Sequence, residues 1–245
     1  MRIDFMTLFP GLFSGFVSES IPRIAQDKGV VSLQVHDIRA WSTDRHGKVD
    51  DRPFGGGPGM VLACQPLWDA ITAVRSRGAS PGRLIFLTPE GKRFNQAYAR
   101  ELAGEERLVL VAGRYEGFDE RVFEILQPER LSLGDFILSG GELAAMVVAE
   151  AVIRLLPGVL GSPESAGEDS FSLESPLLDH PHYTQPPQFM GLEVPEVLRS
   201  GNHAKIKSWR QQQAREKTRH FRPDLLKEGE GEEHGSARPG PEGAG

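Results

Sequence analysis

Three short segments of the chain combine glycine with charged or hydroxyl side chains, and each follows an apolar run of strand length. They are residues 88–91, 113–117 and 132–142. Glycine lets a backbone approach a ligand closely, although each segment taken alone is typical of a plain turn. None has the Gly-Lys-Ser/Thr ending of a phosphate-binding loop or the G-x-G-x-x-G spacing of a dinucleotide site. Together they predict one concave binding site for a small molecule that the spacing does not name.

The elements that must position these segments alternate along the chain. Alternating strands and helices predict an α/β fold with a mostly parallel sheet, in which ligands bind at the carboxyl ends of the strands. The glycine segments follow three such strand ends. The predicted strands are residues 3–9, 31–38, 83–88, 107–112 and 131–138, and the predicted helices are residues 65–77, 95–103, 119–126 and 141–156.

The chain changes character after residue 160. Residues 161–175 are mostly small and polar, which predicts a flexible linker. A proline-rich stretch and a helical pattern over residues 202–221 follow, so residues 176–227 are predicted to form a smaller helical domain. Residues 228–245 are rich in glutamate and glycine, which predicts a disordered acidic tail. Residues 1–160 are then the α/β domain.

The formal net charge of −6 hides a strongly basic segment. Residues 199–222 contain eight lysines and arginines and one acid, Glu216. Such a segment predicts binding to a nucleic-acid backbone, although a merely solvated helix face has the same composition. The single cysteine, Cys64, excludes an internal disulfide and a thiolate zinc cluster, and no apolar run approaches the roughly 20 residues of a membrane span. A cytoplasmic protein is expected.

Seven motifs in a fixed order carry a resemblance to a known family. In order, they are DDRPFGGGPGM (50–60), GRYEG (113–117), SLGDFILSGGE (132–142), PGVLG (157–161), EDSF (168–171), PHYT (181–184) and SGNH (200–203). Together they closely resemble the bacterial tRNA (guanine-N1)-methyltransferases of the knotted SPOUT superfamily. The resemblance extends from about residue 3 to residue 226.

The resemblance implies a deep trefoil knot in the α/β domain, a rare exception to the rule against knotted chains. It also implies S-adenosylmethionine as cofactor, held by the knotted loops. Phe86, Thr88 and Phe136 stand where relatives often have Tyr, Ser and Tyr. The two Phe residues therefore lack the phenolic hydroxyls of those relatives and any hydrogen bonds that these hydroxyls make. The implied cofactor-binding residues are Leu87, Thr88, Pro89, Gly113, Tyr115, Glu116, Leu133, Gly134, Asp135, Phe136, Ile137, Leu138, Gly140 and Gly141.

Methyl transfer to guanine N1 requires a base, because N1 carries a proton that must leave as the methyl arrives. It also benefits from a cation near the carbonyl oxygen where charge develops. The resemblance implies Asp169 as the base and Arg154 as the cation. From position alone, Asp169 is more typical of a solvated or capping linker residue, and Arg154 of a helix-surface ion pair with Glu150 one helical turn earlier.

The family resemblance implies a tRNA substrate methylated at the guanosine immediately 3′ of the anticodon (position 37). It further implies a homodimer with the active site at the subunit interface. The irregular spacing of His46, His180 and His182 argues against a metal site, so none is predicted. The candidate RNA-binding residues are Arg45, His46, Asp50, Arg52, Asp179, Lys205, Lys207 and Arg210.

The sequence is also consistent with two other functions. A knotted methyltransferase acting on another tRNA position or on ribosomal RNA would share the cofactor loops. It should lack the segments at residues 50–60 and 168–171. A non-catalytic RNA-binding protein with a degenerate fold would bind S-adenosylmethionine weakly or not at all.

Overall fold

A computed structural model describes residues 1–161, 169–172 and 176–229. The chain divides into two compact units, residues 1–163 and 164–245. Most of the predicted linker (161–175) and the tail from residue 230 onward lie outside the described residues, whereas residues 228 and 229 belong to the last helix. Among the helices of the described residues, none is long and apolar enough to cross a membrane.

The amino-terminal unit is built on a five-stranded sheet in the order β2-β1-β6-β5-β7, and every neighbouring pair is parallel. The predicted α/β fold with a parallel central sheet is therefore confirmed. Two short strands, β3 and β4, form a separate antiparallel pair. The strands are β1 (Arg2–Thr7), β2 (Ser32–Asp37), β3 (Asp50–Asp51), β4 (Val61–Leu62), β5 (Arg83–Arg93), β6 (Arg107–Ala112) and β7 (Glu129–Ser132).

Helices connect the strands of this unit, and two of their starts carry side-chain caps. The Asn95 side chain accepts a hydrogen bond from the Tyr98 amide, and Asp119 accepts one from Arg121, so each cap satisfies an amide that the first turn leaves unpaired. The helices are α1 (Ser14–Ser18), α2 (Ser20–Asp27), α3 (Cys64–Arg75), α4 (Gln96–Ala103), α5 (Glu120–Leu126) and α6 (Glu142–Ile153), with 3₁₀ turns at Pro10–Phe13 and Ile38–Trp41.

Two sequence predictions of strand boundaries were wrong. The strand predicted over residues 131–138 ends at Ser132, and residues 133–138 form a loop. In this loop Gly134 adopts a φ of 149°, and the side chains of Phe136, Ile137 and Leu138 are exposed. The strand predicted to end at residue 88 continues to Arg93, with a register shift between Leu87 and Lys92. The helices α1 and α2 were not predicted.

The core lies on both faces of the sheet. Along β6 the side chains alternate, because successive residues of a strand point to opposite faces. Leu108 and Leu110 belong to one buried cluster, whereas Val109 and Val111 belong to the other. A central strand covered on both faces explains why residues 108–112 are apolar throughout and why the strand over residues 107–112 could be predicted from the sequence.

A buried ionic network ties β1 to β2 and β6. Asp4 is fully buried and accepts hydrogen bonds from Arg2 (2.7 Å), Arg107 (2.9 Å) and, at 2.7 Å, contacts His36 Nε2. Arg107 also donates to the carbonyl oxygens of Val74, Arg75 and Ser80. Burial alone raises the pKa of Asp4, but the hydrogen bonds from His36, Arg2 and Arg107 outweigh it and lower the pKa to about 2.

Replacing Asp4 with asparagine should destabilise the protein by about 3–5 kcal/mol, because the buried Arg107 then loses its counter-charge. Since folding lowers the pKa of Asp4 from 3.8 to about 2, its contribution is fully present above pH 3.8. It is lost as the pH falls toward 2. Urea unfolding from pH 7 to pH 2.5 should therefore show the difference from wild type shrinking below pH 4. Asp27→Asn, at an exposed ion pair, is the control and should change stability by less than about 1 kcal/mol.

The described part of the carboxyl-terminal unit contains a short hairpin and three helices. The predicted helix over residues 202–221 is confirmed, and Asn202 caps it by accepting a hydrogen bond from the Lys205 amide. On this helix Trp209 packs against Tyr183, with ring centroids 6.3 Å apart. The elements are β8 (Gln188–Phe189), β9 (Leu192–Glu193), α7 (Glu196–Arg199), α8 (His203–Phe221) and α9 (Asp224–Gly229).

Candidate active site

A cavity of about 500 Å³ lies at the ends of β6 and β7, beside the irregularity inside β5. Glu120, Phe123 and Ala144 complete its lining, and its walls come mainly from three places in the chain, residues 87–90, 113–118 and 131–141. These are the glycine segments that the sequence predicted would meet, and the first of them lies at the irregularity inside β5. The volume falls in the range of about 300–1,000 Å³ that is usual for small-molecule sites.

Nearly all of the predicted cofactor residues line this cavity, and Asp135 is the exception. The Asp135 side chain is 87% exposed and pairs with Arg93 at 2.6 Å. Phe86, which lacks the hydroxyl of a Tyr, is not part of the lining. It is fully buried and packs against Phe118 and Phe123. The predicted residues in the lining are Leu87, Thr88, Pro89, Gly113, Tyr115, Glu116, Leu133, Gly134, Phe136, Ile137, Leu138, Gly140 and Gly141.

A buried carboxylate joins two of the three cavity segments. Arg114 Nε lies 2.9–3.0 Å from both carboxylate oxygens of Glu142, and its Nη1 donates to the Ser139 carbonyl oxygen. The Thr7 hydroxyl donates to Glu142 Oε1 at 2.9 Å. Arg114 and Glu142 were not among the predicted site residues. The sequence signal is that Glu142 is an acid in the first turn of a helix. This is a common capping feature and did not indicate a distant partner.

Glycines let these segments approach one another. A Cβ at Gly141 would lie 2.9 Å from Ala112 Cα and from the Gly113 nitrogen, which are backbone atoms. The Gly141 amide donates to the Gly113 carbonyl oxygen at 2.8 Å across this contact. Tyr115 has a φ of 61°, so the backbone is strained where the segment turns into the cavity. Its side chain is half-exposed.

The lining suits a ligand with apolar, polar and cationic parts. Three glutamates line it, and Glu90 and Glu120 each pair with Arg130 at 2.9 and 2.8 Å. The third, Glu116, bonds through its amide to the Met60 carbonyl oxygen. Apolar wall residues such as Leu87 and Phe136 complement these acids. The arrangement fits S-adenosylmethionine, which combines an adenine ring with a sulfonium cation and a charged amino acid.

A glycine-rich loop, residues 52–60 between β3 and β4, is anchored to the cavity wall. The Leu62 amide donates to the Gly117 carbonyl oxygen, next to the bond between Glu116 and Met60. Between β3 and β4 the chain carries Phe54, whose side chain is fully exposed. Sequence reasoning missed Phe54, whose signal is an aromatic residue beside three consecutive glycines. Of the candidate RNA-binding residues nearby in the chain, Arg45, His46 and Arg52 are exposed and Asp50 is half-buried.

The two predicted catalytic residues lie in different units. Arg154 follows the last residue of α6, and its amide donates to the Glu150 carbonyl oxygen. Asp169 is half-buried, and its main-chain oxygen accepts a hydrogen bond from Ser172. Glu168, the first residue of the EDSF motif, lies outside the described residues.

Asp179 lies in the carboxyl-terminal unit between two histidines. Its carboxylate contacts His180 Nδ1 and His182 Nε2, each at 2.7 Å. Burial raises the pKa of Asp179, but the His182 side chain and the His180 amide outweigh it and hold the pKa below its usual value. Asp179 is therefore a carboxylate at neutral pH and cannot supply a proton. Lys205, Lys207 and Arg210 are exposed on α8.

The parallel sheet and the cavity at its strand ends define an α/β protein with a cavity of small-molecule size. The model of one family, described as tRNA (Guanine-1)-methyltransferase TrmD, matches residues 1–228. The chain belongs to this family, and the resemblance inferred from its motifs is confirmed.

Curated relatives agree with the family match. A tRNA (guanine-N(1)-)-methyltransferase of Shouchella clausii is 53% identical over 227 residues, which cover 93% of this chain and 92% of the relative. A protein of the same name from Dehalococcoides mccartyi is 52% identical over 226 residues, covering 92% and 90%. The Bacillus subtilis protein of that name is 51% identical over 228 residues, covering 93% of each chain.

Proposed function

We propose that this protein transfers a methyl group from S-adenosylmethionine to N1 of the guanosine at tRNA position 37, immediately 3′ of the anticodon. The observation that carries the proposal is the cavity beside the irregularity of β5 and the ends of β6 and β7, whose lining contains thirteen of the fourteen predicted cofactor residues. Family membership supports the same reaction. A tRNA substrate also favours a cytoplasmic location.

Cofactor binding in this proposal is a property of three backbone segments. Residues 87–89, 113–116 and 133–141 enclose the ligand, and the Arg114–Glu142 pair keeps two of these segments together. When bound, S-adenosylmethionine supplies an activated methyl electrophile, so no metal is needed for the transfer itself. We propose that these segments belong to a trefoil knot within the α/β domain (1–160), which a linker (161–175) joins to the helical tRNA-binding domain (176–227).

Asp169 is the proposed general base, and Arg154 the proposed cation. The carboxylate of Asp169 takes the proton from guanine N1 as the methyl arrives, and Arg154 stabilises the negative charge that develops on O6. The target base must leave its stack to reach the cavity, which costs less in a single-stranded anticodon loop than in a duplex. In this proposal Asp169 completes the active site only when tRNA is bound.

We propose that the active enzyme is a homodimer, with Asp169 and the cofactor segments supplied by different chains. The apolar surface of α6 supports this. Leu143 and Val147 lie one helical turn apart and are 60% and 50% exposed. The 3₁₀ turn at Pro10–Phe13, which contacts α6, adds Leu12 at 52%. A helix that is apolar on its exposed as well as its buried side is typical of a protein interface.

Val147→Glu should convert the dimer into monomers and abolish methylation, because a buried unpaired carboxylate is costly at an apolar interface. Analytical ultracentrifugation and a methylation assay measure the two effects. Ile125→Glu, at a 63% exposed apolar residue of α5, is the control and should leave the dimer intact. A fully active monomer of either variant would contradict the shared-site proposal.

Helix α8 is proposed to capture the tRNA backbone through its exposed cations. Changing Lys205, Lys207 and Arg210 together to alanine should weaken tRNA binding and lower the slope of log affinity against log salt by up to about 3. The affinity for S-adenosylmethionine should not change. Arg23→Ala, at an exposed ion pair on α2, is the matched control. An unaltered salt slope in the triple variant would remove α8 from the RNA interface.

A methylation assay on transcripts separates this function from that of a related enzyme acting on another RNA position. Incorporation of labelled methyl should require guanosine at position 37, and replacing that base with adenosine should abolish it. Unchanged incorporation would show that the target lies elsewhere. Calorimetric titration with S-adenosylmethionine separates both from a non-catalytic RNA-binding protein, which should show weak or no binding.

A further inference from the structure

Three potential metal ligands converge in the carboxyl-terminal unit at Asp179, His180 and His182. Ligand atoms from the three side chains all lie within 4.8 Å of one another. The Asp179 carboxylate uses one oxygen toward each imidazole, at 2.7 Å in both cases. The two rings face each other with centroids 4.4 Å apart and an interplanar angle of 45°. Irregular spacing in the sequence gave no indication of this convergence.

The cluster is both anchored and accessible. The Asp179 amide donates to the Ser170 hydroxyl at 2.9 Å, and the Leu178 amide donates to the Thr218 hydroxyl of α8 at the same distance. These bonds fix the backbone that carries the carboxylate. The His180 side chain is 10% exposed and Asp179 is 23% exposed, whereas His182 is 69% exposed. An ion could therefore enter from the His182 side.

The geometry is close to that of a metal site. Zinc lies about 2.0–2.2 Å from imidazole nitrogen and carboxylate oxygen, so tetrahedral ligands are separated by about 3.4 Å. The ligand atoms here span distances from 2.7 Å to at most 4.8 Å. To reach that separation the closest pairs must move apart by about 0.7 Å, and the most distant pair must approach by at most about 1.4 Å.

The ligand types select the class of metal. Two imidazoles and one carboxylate suit zinc and neighbouring first-row transition metals. Magnesium and calcium prefer sites made mainly of oxygen ligands. Three protein ligands with one exposed side leave a coordination position for water or for an external ligand such as a phosphate oxygen.

We propose that Asp179, His180 and His182 form a binding site for a divalent transition metal ion, with zinc as the representative ion. The ion replaces the two hydrogen bonds between the carboxylate and the imidazoles, and water completes its coordination. The site lies outside the proposed cofactor cavity and does not depend on methyl transfer. Its test can therefore fail while the proposed function stands.

Zinc binding is measured on the full-length, untagged protein in competition with a chromogenic zinc indicator. We expect one zinc ion per chain at this site. His180→Gln and His182→Gln should each lower its affinity by more than about 100-fold, because even indirect partners of a metal ligand contribute about 10–100-fold. His203→Gln and His220→Gln, on exposed histidines of α8, are matched controls and should bind as wild type. Circular dichroism confirms that each variant is folded.

Cobalt absorption provides a second measurement. Co²⁺ added to wild type should give visible bands of a low-coordinate nitrogen and oxygen site, and these bands should disappear on adding zinc and in His182→Gln. Millimolar Mg²⁺ should not displace either ion. The proposal is overturned if folded wild type binds no zinc, if both glutamine variants retain full affinity, or if Mg²⁺ competes equally.

Discussion

Asp169→Asn is expected to lower kcat for tRNA methylation by a factor on the order of 10² or more, which is the usual contribution of a general base. Asparagine keeps the size and polarity of the side chain but cannot accept the N1 proton. Because Asp169 is not part of the cavity lining, the affinity for S-adenosylmethionine should stay at the wild-type value. Single-turnover kinetics measure the chemical step, and calorimetry measures cofactor binding.

Asp27→Asn is the matched control for this variant. It makes the same chemical change at an exposed residue of α2 that pairs with Arg23, and its turnover should equal that of wild type. If Asp169→Asn methylates tRNA at a near-normal rate while folded and dimeric, Asp169 is not the base. Loss of tRNA affinity with an unchanged single-turnover rate at saturation would instead assign it to substrate binding.

Gly91→Ala is expected to cost more than the roughly 1–3 kcal/mol that an extra methyl group usually costs in a packed core. A Cβ at Gly91 would lie 2.2 Å from the Leu131 nitrogen and 2.5 Å from its Cα. These are backbone atoms of β7, where Leu131 pairs with both Leu87 and Lys92 of β5. The strands cannot separate without breaking this pairing, which also supports one wall of the cavity.

Urea unfolding measures the loss of stability, and calorimetry the loss of cofactor affinity, in Gly91→Ala. Gly15→Ala is the matched control, because a Cβ at Gly15 meets nothing within 4 Å. It should be as stable as wild type or slightly more stable, since alanine favours the helical conformation of α1. A Gly91→Ala protein within about 0.5 kcal/mol of wild type would show that the two strands separate easily at this crossing.

Local sequence patterns predicted the parts of the molecule that local physics determines. The apolar run of β6 is buried on both faces, so its composition alone marks it as a central strand. Strand ends followed by glycine predicted where the cavity segments would meet. The apolar run at residues 133–138 was wrongly predicted as a strand, because its apolar residues line the cavity or face solvent.

Contacts between distant residues could not be predicted in this way. Arg114 and Glu142 are 28 positions apart, and Asp4 and Arg107 are 103 apart. The Asp4–Arg107 pair forms because the sheet places β1 beside β6. The Arg114–Glu142 pair forms because α6 begins beside the end of β6. The roles of Asp169 and Arg154 came from the family resemblance alone. The local sequence around Asp169 does not distinguish it from an ordinary loop acid, and that around Arg154 does not distinguish it from an ordinary arginine at a helix end.

Mass spectrometry of a tRNA transcript after incubation with the enzyme and isotopically labelled S-adenosylmethionine tests the central claim most directly. It identifies the modified base and its position in one measurement. The proposed function predicts a single labelled methyl group on N1 of the guanosine at position 37. A labelled methyl on another atom or another nucleotide, or no label with a folded dimer, would contradict it.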